Sequence, residues 1–364
     1  MSSSGRWLSS RIGIVSGMAP TGSTRDHYVP QMYLRRFGQA TSNGHRIAVS
    51  TRDLTIGFRA NVRDVAVETG FYWGTDDSGV PHHHMEEFLT ALEGSAATAF
   101  RSILDSGRSP DDDALPRWPP RLQVRFALAW WISAQVLRTV RQRARLLSDA
   151  GRAGIELPDE IAVANQHLRY IAEMIVPLAN TVFSRPWGIG FSDYCLLTGD
   201  VPVLVLNGQD HPDQQASVEY WDLYLPLDPH RCLYLPGAAS AAADARLRRD
   251  HRLKLHSGHA LGLNSAMLDA SVRHVFYHPD HDPTARAQPA LDLEMNLPRF
   301  WVNYTILDQD MGVQRRWLDV HPSPPAEGST DSSGMTEDDA IALVTRVAAE
   351  LERRGNAFRD LTGH

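Results

Sequence analysis

Within the stretch from Pro120 to Asp149 lies the run FALAWWI, Phe126 to Ile132, which is apolar on nearly every side of a helix. A helix with no polar face must run through the middle of a core, with other elements packed around it. The chain can supply such a core, since it has 364 residues of which 43% are hydrophobic and 22% charged. That composition excludes a disordered, collagen-like or disulfide-stapled protein. The same run falls well short of the roughly 18 apolar residues of a membrane span, so no membrane partner is expected.

Pro119 and Pro120 open this central helix, which is predicted to continue unbroken to about Asp149. Met85, Phe88, Leu89, Leu92, Ala96 and Phe100 recur at helical spacing and predict an amphipathic helix over 85–105; another is predicted over 159–183. Near the start, Pro30 suits the first turn of a short helix carried by Gln31 to Phe37 and stopped at Gly38. Ile47–Thr51 and Thr55–Val62 read as a hairpin, and Phe71, Tyr72 and Trp73 as an aromatic strand end. After Tyr194 come short β-rich runs at 195–197, 201–206, 221–225 and 231–235, separated by Pro, Gly or Asp and expected to pair into a sheet. Helical sequence returns at 242–252 and 259–270, and 272–277 reads as a strand. The expected class is α+β, predominantly helical with a central, mostly antiparallel sheet.

Residues 1–24, rich in Ser and Gly, read as a flexible tail, 25–320 as a single α+β domain and 321–335 as a linker. Thr336 and Asp339 then resemble a capping box opening an amphipathic helix over 336–364, striped by Ile341, Val344, Val347 and Leu351. A helix tethered in this way needs a surface to dock on, in its own chain or on a protein partner. Thirty-six basic against 43 acidic residues give a net charge of −7, which excludes a globally cationic nucleic-acid coat and leaves room for a local basic groove. All basic residues but Lys254 are arginines, a skew that reads as codon bias, so any single Arg needs a geometric argument. Cys195 and Cys232 sit in apolar sequence without CxxC or metal-ligand spacing, as expected of buried thiols in a reducing cytoplasm. The phosphate-binding GxxxxGK[ST], HExxH, GxSxG and strand-borne GxGxxG patterns are all absent.

The string HYVPQMYLRRF from His27 strongly resembles the opening HYVPQ.YL..F signature of a bacterial family, the domain-of-unknown-function family 4238. Phe71-Tyr72, EEFLTALEGSAA from Glu86, AQVLRTVRQR from Ala134, LLTGDVPVL from Leu196, YLPLDP from Tyr224 and LNSAMLDA from Leu263 resemble its later blocks in the same order, covering roughly 27–278. Two departures stand out. The family's T-S-D-N-P block is here Thr198-Gly199-Asp200-Val201-Pro202, and the Pro that usually follows its Arg-Thr pair is replaced by Val140. The resemblance implies a bacterial protein and lends weight to the His27 motif; it carries no activity with it.

Several residues have the chemistry for a site. His27 stands just before the predicted helix, and Gln31 and Arg35, four apart, share one of its faces, where free N–H groups and a positive dipole suit an anion or phosphate. Capping and surface pairing are the competing explanation. Glu86 and Glu93 are two turns apart on one helix face, and a carboxylate facing an interior needs a metal ion, a proton or an arginine. His82, His83 and His84 precede them as a solvated loop or part of a mixed metal site. Gln135 and Arg138 are three apart, and Arg138 leads a stripe with Arg141 and Arg145 that could grip phosphates or simply face water. Because Arg138 follows the apolar run, an internal acidic partner such as Glu86, Glu93 or Asp200 is expected. Asp200 lies between two strand-like runs, in a cleft or in a turn, and the Pro-bracketed run from Tyr277 to Pro283 reads as a polar loop.

Together these residues predict an intracellular hydrolase or transferase acting on a phosphate-containing, nucleotide or nucleic-acid substrate. His27, Glu86, Glu93, Arg138 and Asp200 are the expected catalytic residues, and Gln31, Arg35, Gln135 and Asn264 the substrate-binding ones. His27 or a carboxylate would act as general base and Arg138 would stabilise negative charge. The carboxylates would hold a divalent cation or orient the base. The alternative is a non-catalytic binding or scaffold protein in which the same residues form a buried polar network. On the enzyme reading Arg138→Ala or Asp200→Ala weakens binding of an anionic ligand at little cost in stability.

Overall fold

The apolar run forms α3 (Leu122–Leu137), in which every side chain from Ala127 to Leu137 is buried. In the computed structural model it packs between α2 (His84–Leu104) and α5 (Glu160–Ser184), the two helices that the sequence period predicts. The structure describes residues 25–284 except 77, 106–117, 158 and 207–220, together with the backbone of 304–307. The expected tail over 1–24, linker over 321–335 and C-terminal helix over 336–364 lie outside the described residues. Trp131, fully buried on α3, meets Phe100 of α2 edge-on at 5.0 Å and Tyr33 at 5.3 Å. Such ring pairs add about 0.5–1.5 kcal/mol each beyond the area they bury. Among the described residues no helix is long and apolar enough to cross a membrane.

The helix predicted to run on to Asp149 is instead two. Arg138 leaves helical geometry at φ −88°, ψ 9°, and Thr139 is extended. The Thr139 hydroxyl accepts from the Gln142 N–H at 3.2 Å and so caps a second helix, α4 (Val140–Arg152), which packs on α5. Threonine is a good N-cap and a mediocre interior helix residue, so a helix restarts there at little cost. The segment after Pro30 is also shorter than expected. One turn of α-helix, α1 (Gln31–Leu34), passes into a 3₁₀ turn over Arg35–Phe37.

Fifteen strands are assigned among the described residues, most of them short. β1 (Arg25–His27) pairs antiparallel with β5 (Val67–Thr69). The predicted hairpin is β3 (Gly44–Thr51) with β4 (Gly57–Asn61), and β2 (Gln39–Thr41) and β14 (His274–Tyr277) also pair with β3. β9 (Thr198–Gly199) completes that sheet on β14, while β6 (Gly74–Thr75) and β7 (Pro81–His82) form a small separate pair. The second large sheet runs β10 (Leu204–Val205), β11 (Leu223–Asp228), β12 (Arg231–Leu235), β8 (Gly188–Ser192), β13 (His251–Leu255) and β15 (Tyr304–Leu307). Its pairs are antiparallel except β8 with β13. The class is therefore α+β, as expected, with the later strands divided between two sheets.

Three local expectations are corrected. Residues 71–73 form a turn, and 195–197 lie outside any strand. The helical reading of 242–252 gives way to a short α6 (Ala238–Ala243), a 3₁₀ turn over Ala245–Arg248 and then β13. In β13 burial alternates, with His251, Leu253 and Leu255 inward, which is the period of a strand. Behind it α7 (Ser257–Ala270) packs Leu263, Met267 and Leu268 into a second core with Leu253 and Leu255.

Candidate functional site

Polar side chains from four distant segments converge where α3 breaks. Arg138, only 1% exposed, donates from Nη1 to Glu93 Oε1 at 2.8 Å, and its guanidinium lies over the Tyr72 ring at 5.8 Å. Its Nε and Nη2 have no hydrogen-bond partner among the described residues. The same holds for both polar atoms of the Gln135 amide, one turn earlier on α3 and 0% exposed, and for the Tyr72 hydroxyl. Native proteins satisfy nearly all buried polar atoms, and each one left unmade costs about 1–3 kcal/mol. Five such atoms on three buried side chains leave hydrogen-bonding capacity here that the described residues do not fill.

The rim is acidic and partly open. Glu86 and Glu93 lie on one face of α2, and both reach solvent, as does His27. Burial is the largest influence on Glu86, followed by repulsion from Asp26 and Glu93; together they outweigh the attraction of Arg138 and push its carboxyl up to about 7. Burial also raises Glu93 against the pull of Arg138, while the carboxylates and Tyr72 around Arg138 raise its affinity for its proton despite the burial. His27 is held below its ordinary value by burial, and Arg25 and Arg138 repel its charge. Its Nε2 lies 3.2 Å from the Arg63 carbonyl oxygen, which can only accept, so Nε2 carries the proton and Nδ1 is the basic nitrogen.

A second layer holds these groups in place. β1 carries Asp26, whose Oδ2 accepts from the Tyr72 N–H at 3.1 Å and so fixes the turn that presents Tyr72. From α4, Arg143 donates to the Phe71 carbonyl oxygen and, from Nε, to His167 Nδ1 at 3.1 Å. His167 Nε2 in turn donates to the Leu137 carbonyl oxygen at 2.9 Å, bracing the last turn of α3 against α5. Burial drives His167 down to about 3, so it is a neutral strut rather than a base.

The other predicted residues are placed differently. Asp200 is fully buried and accepts three backbone N–H groups, from Val272 at 2.8 Å, Arg273 at 2.6 Å and His274 at 3.0 Å. It shapes the start of β14 and stands apart from the Arg138 cluster. Asn264 accepts from the Leu197 N–H at 3.1 Å and donates to the Cys195 carbonyl at 2.9 Å, tying α7 to the loop before β9. Gln31 and exposed Arg35 meet each other at 3.5 Å, and the single turn they occupy is too short to build a helix dipole. Arg141 donates to the Ala270 carbonyl and Arg145 to Gln142 and Asp149, so these two members of the arginine stripe are engaged within the fold. The ring of His82 stacks on that of His84 at 4.9 Å. Among the described residues no group of three or more His, Cys, Asp or Glu side chains is arranged to hold a metal ion.

Sequence reasoning missed Asp26, Tyr72, Arg143 and His167. Asp26 adjoins the His27 string, and Tyr72 and Arg143 fall in the blocks that resemble the family, so all three were within reach; His167 carried no local signal. It also read Cys195 as a buried thiol. The side chain is partly exposed, with Sγ 3.4 Å from His230 Nε2, and the Ser192 carbonyl 2.9 Å from Nδ1 turns the unprotonated nitrogen toward the sulfur.

A family model described as protein of unknown function, DUF4238, matches residues 25–281. The chain belongs to this family. The matched span holds every member of the Arg138 cluster, from Asp26 to His167. No curated protein and no solved structure gives a significant match. One departure of this DUF4238 chain has a structural reason. At Gly199, where the family usually has Ser, an added Cβ would lie 2.0 Å from Ser271 Oγ. Ser271 thus supplies a hydroxyl at that point and leaves no room for another.

Proposed function

We propose that this protein binds a phosphate-containing ligand at the Arg138 cluster and acts on it as a hydrolase or transferase inside the cell. The observation that carries this reading is a buried guanidinium with unpartnered N–H groups beside a carboxyl, Glu86, that titrates near neutrality. A guanidinium held out of water in fixed position stabilises negative charge as it develops. A carboxyl that is half protonated at neutral pH can give and take a proton. In this scheme Glu86 is the acid–base group, Glu93 orients Arg138, and neutral His27 is a second proton acceptor at the rim.

The test is a thermal-shift screen against inorganic phosphate, nucleotides, short nucleic acids and divalent metals, since a ligand that prefers the folded state raises the melting temperature. Hits would then be assayed for turnover. The reading requires a phosphate-dependent rise that Arg138→Lys removes, and turnover that Glu86→Gln abolishes while binding remains. No rise with any probe would leave the scaffold reading. That reading draws its support from Asp200 and Asn264, whose polar atoms are held by backbone groups.

A further inference from the structure

The Arg138 cluster leaves the thiol of Cys195 unused. Cys195 lies in the loop between β8 and β9, where it reaches solvent, and His230 lies nearly sealed, 4% exposed, in the turn between β11 and β12. Both are held in place. The Asn264 amide donates to the Cys195 carbonyl at 2.9 Å, and the Leu196 N–H donates to the Pro229 carbonyl at 2.7 Å, which ties the cysteine segment to the histidine turn. Asp228 accepts from the His230 N–H at 2.9 Å and the Ser192 carbonyl accepts from Nδ1, so the ring presents its basic Nε2 to Sγ at 3.4 Å. A nucleophile within reach of a base that a third group orients is the arrangement that activates a neutral Ser or Cys.

The surroundings keep the pair neutral. Burial is the largest influence on His230 and holds it below its ordinary value; the Ser192 carbonyl and Asp228 pull the other way, and His281 and Arg231 repel its charge. His278 and His281, with ring centroids 5.4 Å apart, come from the Pro-bracketed run after β14 and both face His230. Burial, with repulsion from Asp228, pushes the Cys195 thiol up to about 11, so the sulfur keeps its proton at neutral pH. Such a thiol attacks only as a base removes that proton, whereas oxidation and disulfide exchange start from a free thiolate. Acyl transfer uses the proton a second time, on the leaving oxygen, and Nε2 can return it there. We propose that Cys195 and His230 form a second reactive site, at which the thiol accepts an acyl group from an ester. The bond from Sγ to the acyl carbon forms as the bond from that carbon to the leaving oxygen breaks, and the thiol proton passes through Nε2 to the leaving group. Nothing is oxidised or reduced.

The experiment is reaction of the full chain with p-nitrophenyl acetate, following nitrophenolate release and mapping the acetyl group at short times by mass spectrometry. A base-assisted thiol reacts at a rate that stays level between about pH 7 and about pH 9, whereas an unassisted one gains about tenfold per pH unit there, in step with its thiolate. The level profile is expected, with the acetyl group on Cys195. His230→Asn, whose amide nitrogen can still donate to the Ser192 carbonyl while nothing replaces Nε2, should slow acetylation of Cys195 by about a hundredfold or more. A rate that climbs with pH, an acetyl group absent from Cys195, or an undiminished rate in the variant overturns the proposal. The wild-type profile decides the matter even where the variant does not fold.

Discussion

Glu86→Gln separates the charge of the acidic rim from its shape. The carboxyl is pushed from the ordinary 4.5 up to about 7 in the folded chain. At about 1.4 kcal/mol per tenfold change in proton affinity this would correspond to roughly 3 kcal/mol for a sealed group, and solvent screening at a partly exposed side chain reduces it to about 1.5 kcal/mol. Because the folded value is the raised one, the contribution is fully present below the unfolded value and is lost as pH climbs through about 7. The groups facing Glu86 are Asp26, Glu93 and Arg138. Urea unfolding of wild type and Glu86→Gln at about pH 5 and about pH 8 should show the variant gaining about 1.5 kcal/mol on the wild type between the two conditions. Titrating groups that do not face Glu86 cancel in that difference. An identical gap at both pH values would mean that Glu86 ionises like a surface carboxylate, and the acid–base role would fall with it.

Arg138→Ala is expected to cost about 3 kcal/mol, against the small cost in stability that the sequence alone implies, because it breaks a buried pair; the cost stays at the low end because Glu93, with its side chain 28% exposed, can regain water. Chemical denaturation checks it, and a loss below about 1 kcal/mol would show that the pair contributes little. Asp200→Asn should destabilise by about 2 kcal/mol, since an amide nitrogen cannot accept from all three backbone N–H groups at the head of β14; an unchanged midpoint would deny it that structural role. Trp131→Ala, which empties the contact between α2 and α3, should cost about 3–5 kcal/mol by the same measurement. Mass-spectrometric mapping after iodoacetamide treatment should find Cys195 modified well before the fully buried Cys232; the reverse order would contradict the exposure described.

The helices around the core were legible because their apolar residues recur at the helical period and bury a full face, as Met85 to Phe100 do on α2. The break at Arg138–Thr139 was not, because nothing in the periodicity of the apolar run ends there. The clue lay in the family comparison. Val140 is the first residue of α4, the position where proline is most at home, and the DUF4238 family usually has Pro there. β13 was misread because Arg252 and Lys254 fill its outward positions and Arg249 and His256 flank it, and such residues carry little sign of strand or helix. Within the site, Glu86 and Glu93 as a pair on one face and Gln135 with Arg138 were visible from spacing alone. What spacing could not reveal is which acidic group meets Arg138. Asp200 and Glu93 are both acidic residues with apolar neighbours, and only the tertiary pairing of α2 with α3 decides for Glu93.

Every functional group of the Arg138 cluster lies between Asp26 and Arg138, and its braces end at His167. The strands that close the molecule come much later, β14 at 274–277 and β13 at 251–255. On a ribosome the chain therefore carries α2, α3 and α5, with the acidic rim and its guanidinium, out of the exit tunnel while β3 still lacks the β14 strand that will cover one of its edges. During synthesis the residues of the cluster emerge first, and the strand that pairs with part of one β3 edge arrives only with the last third of the chain.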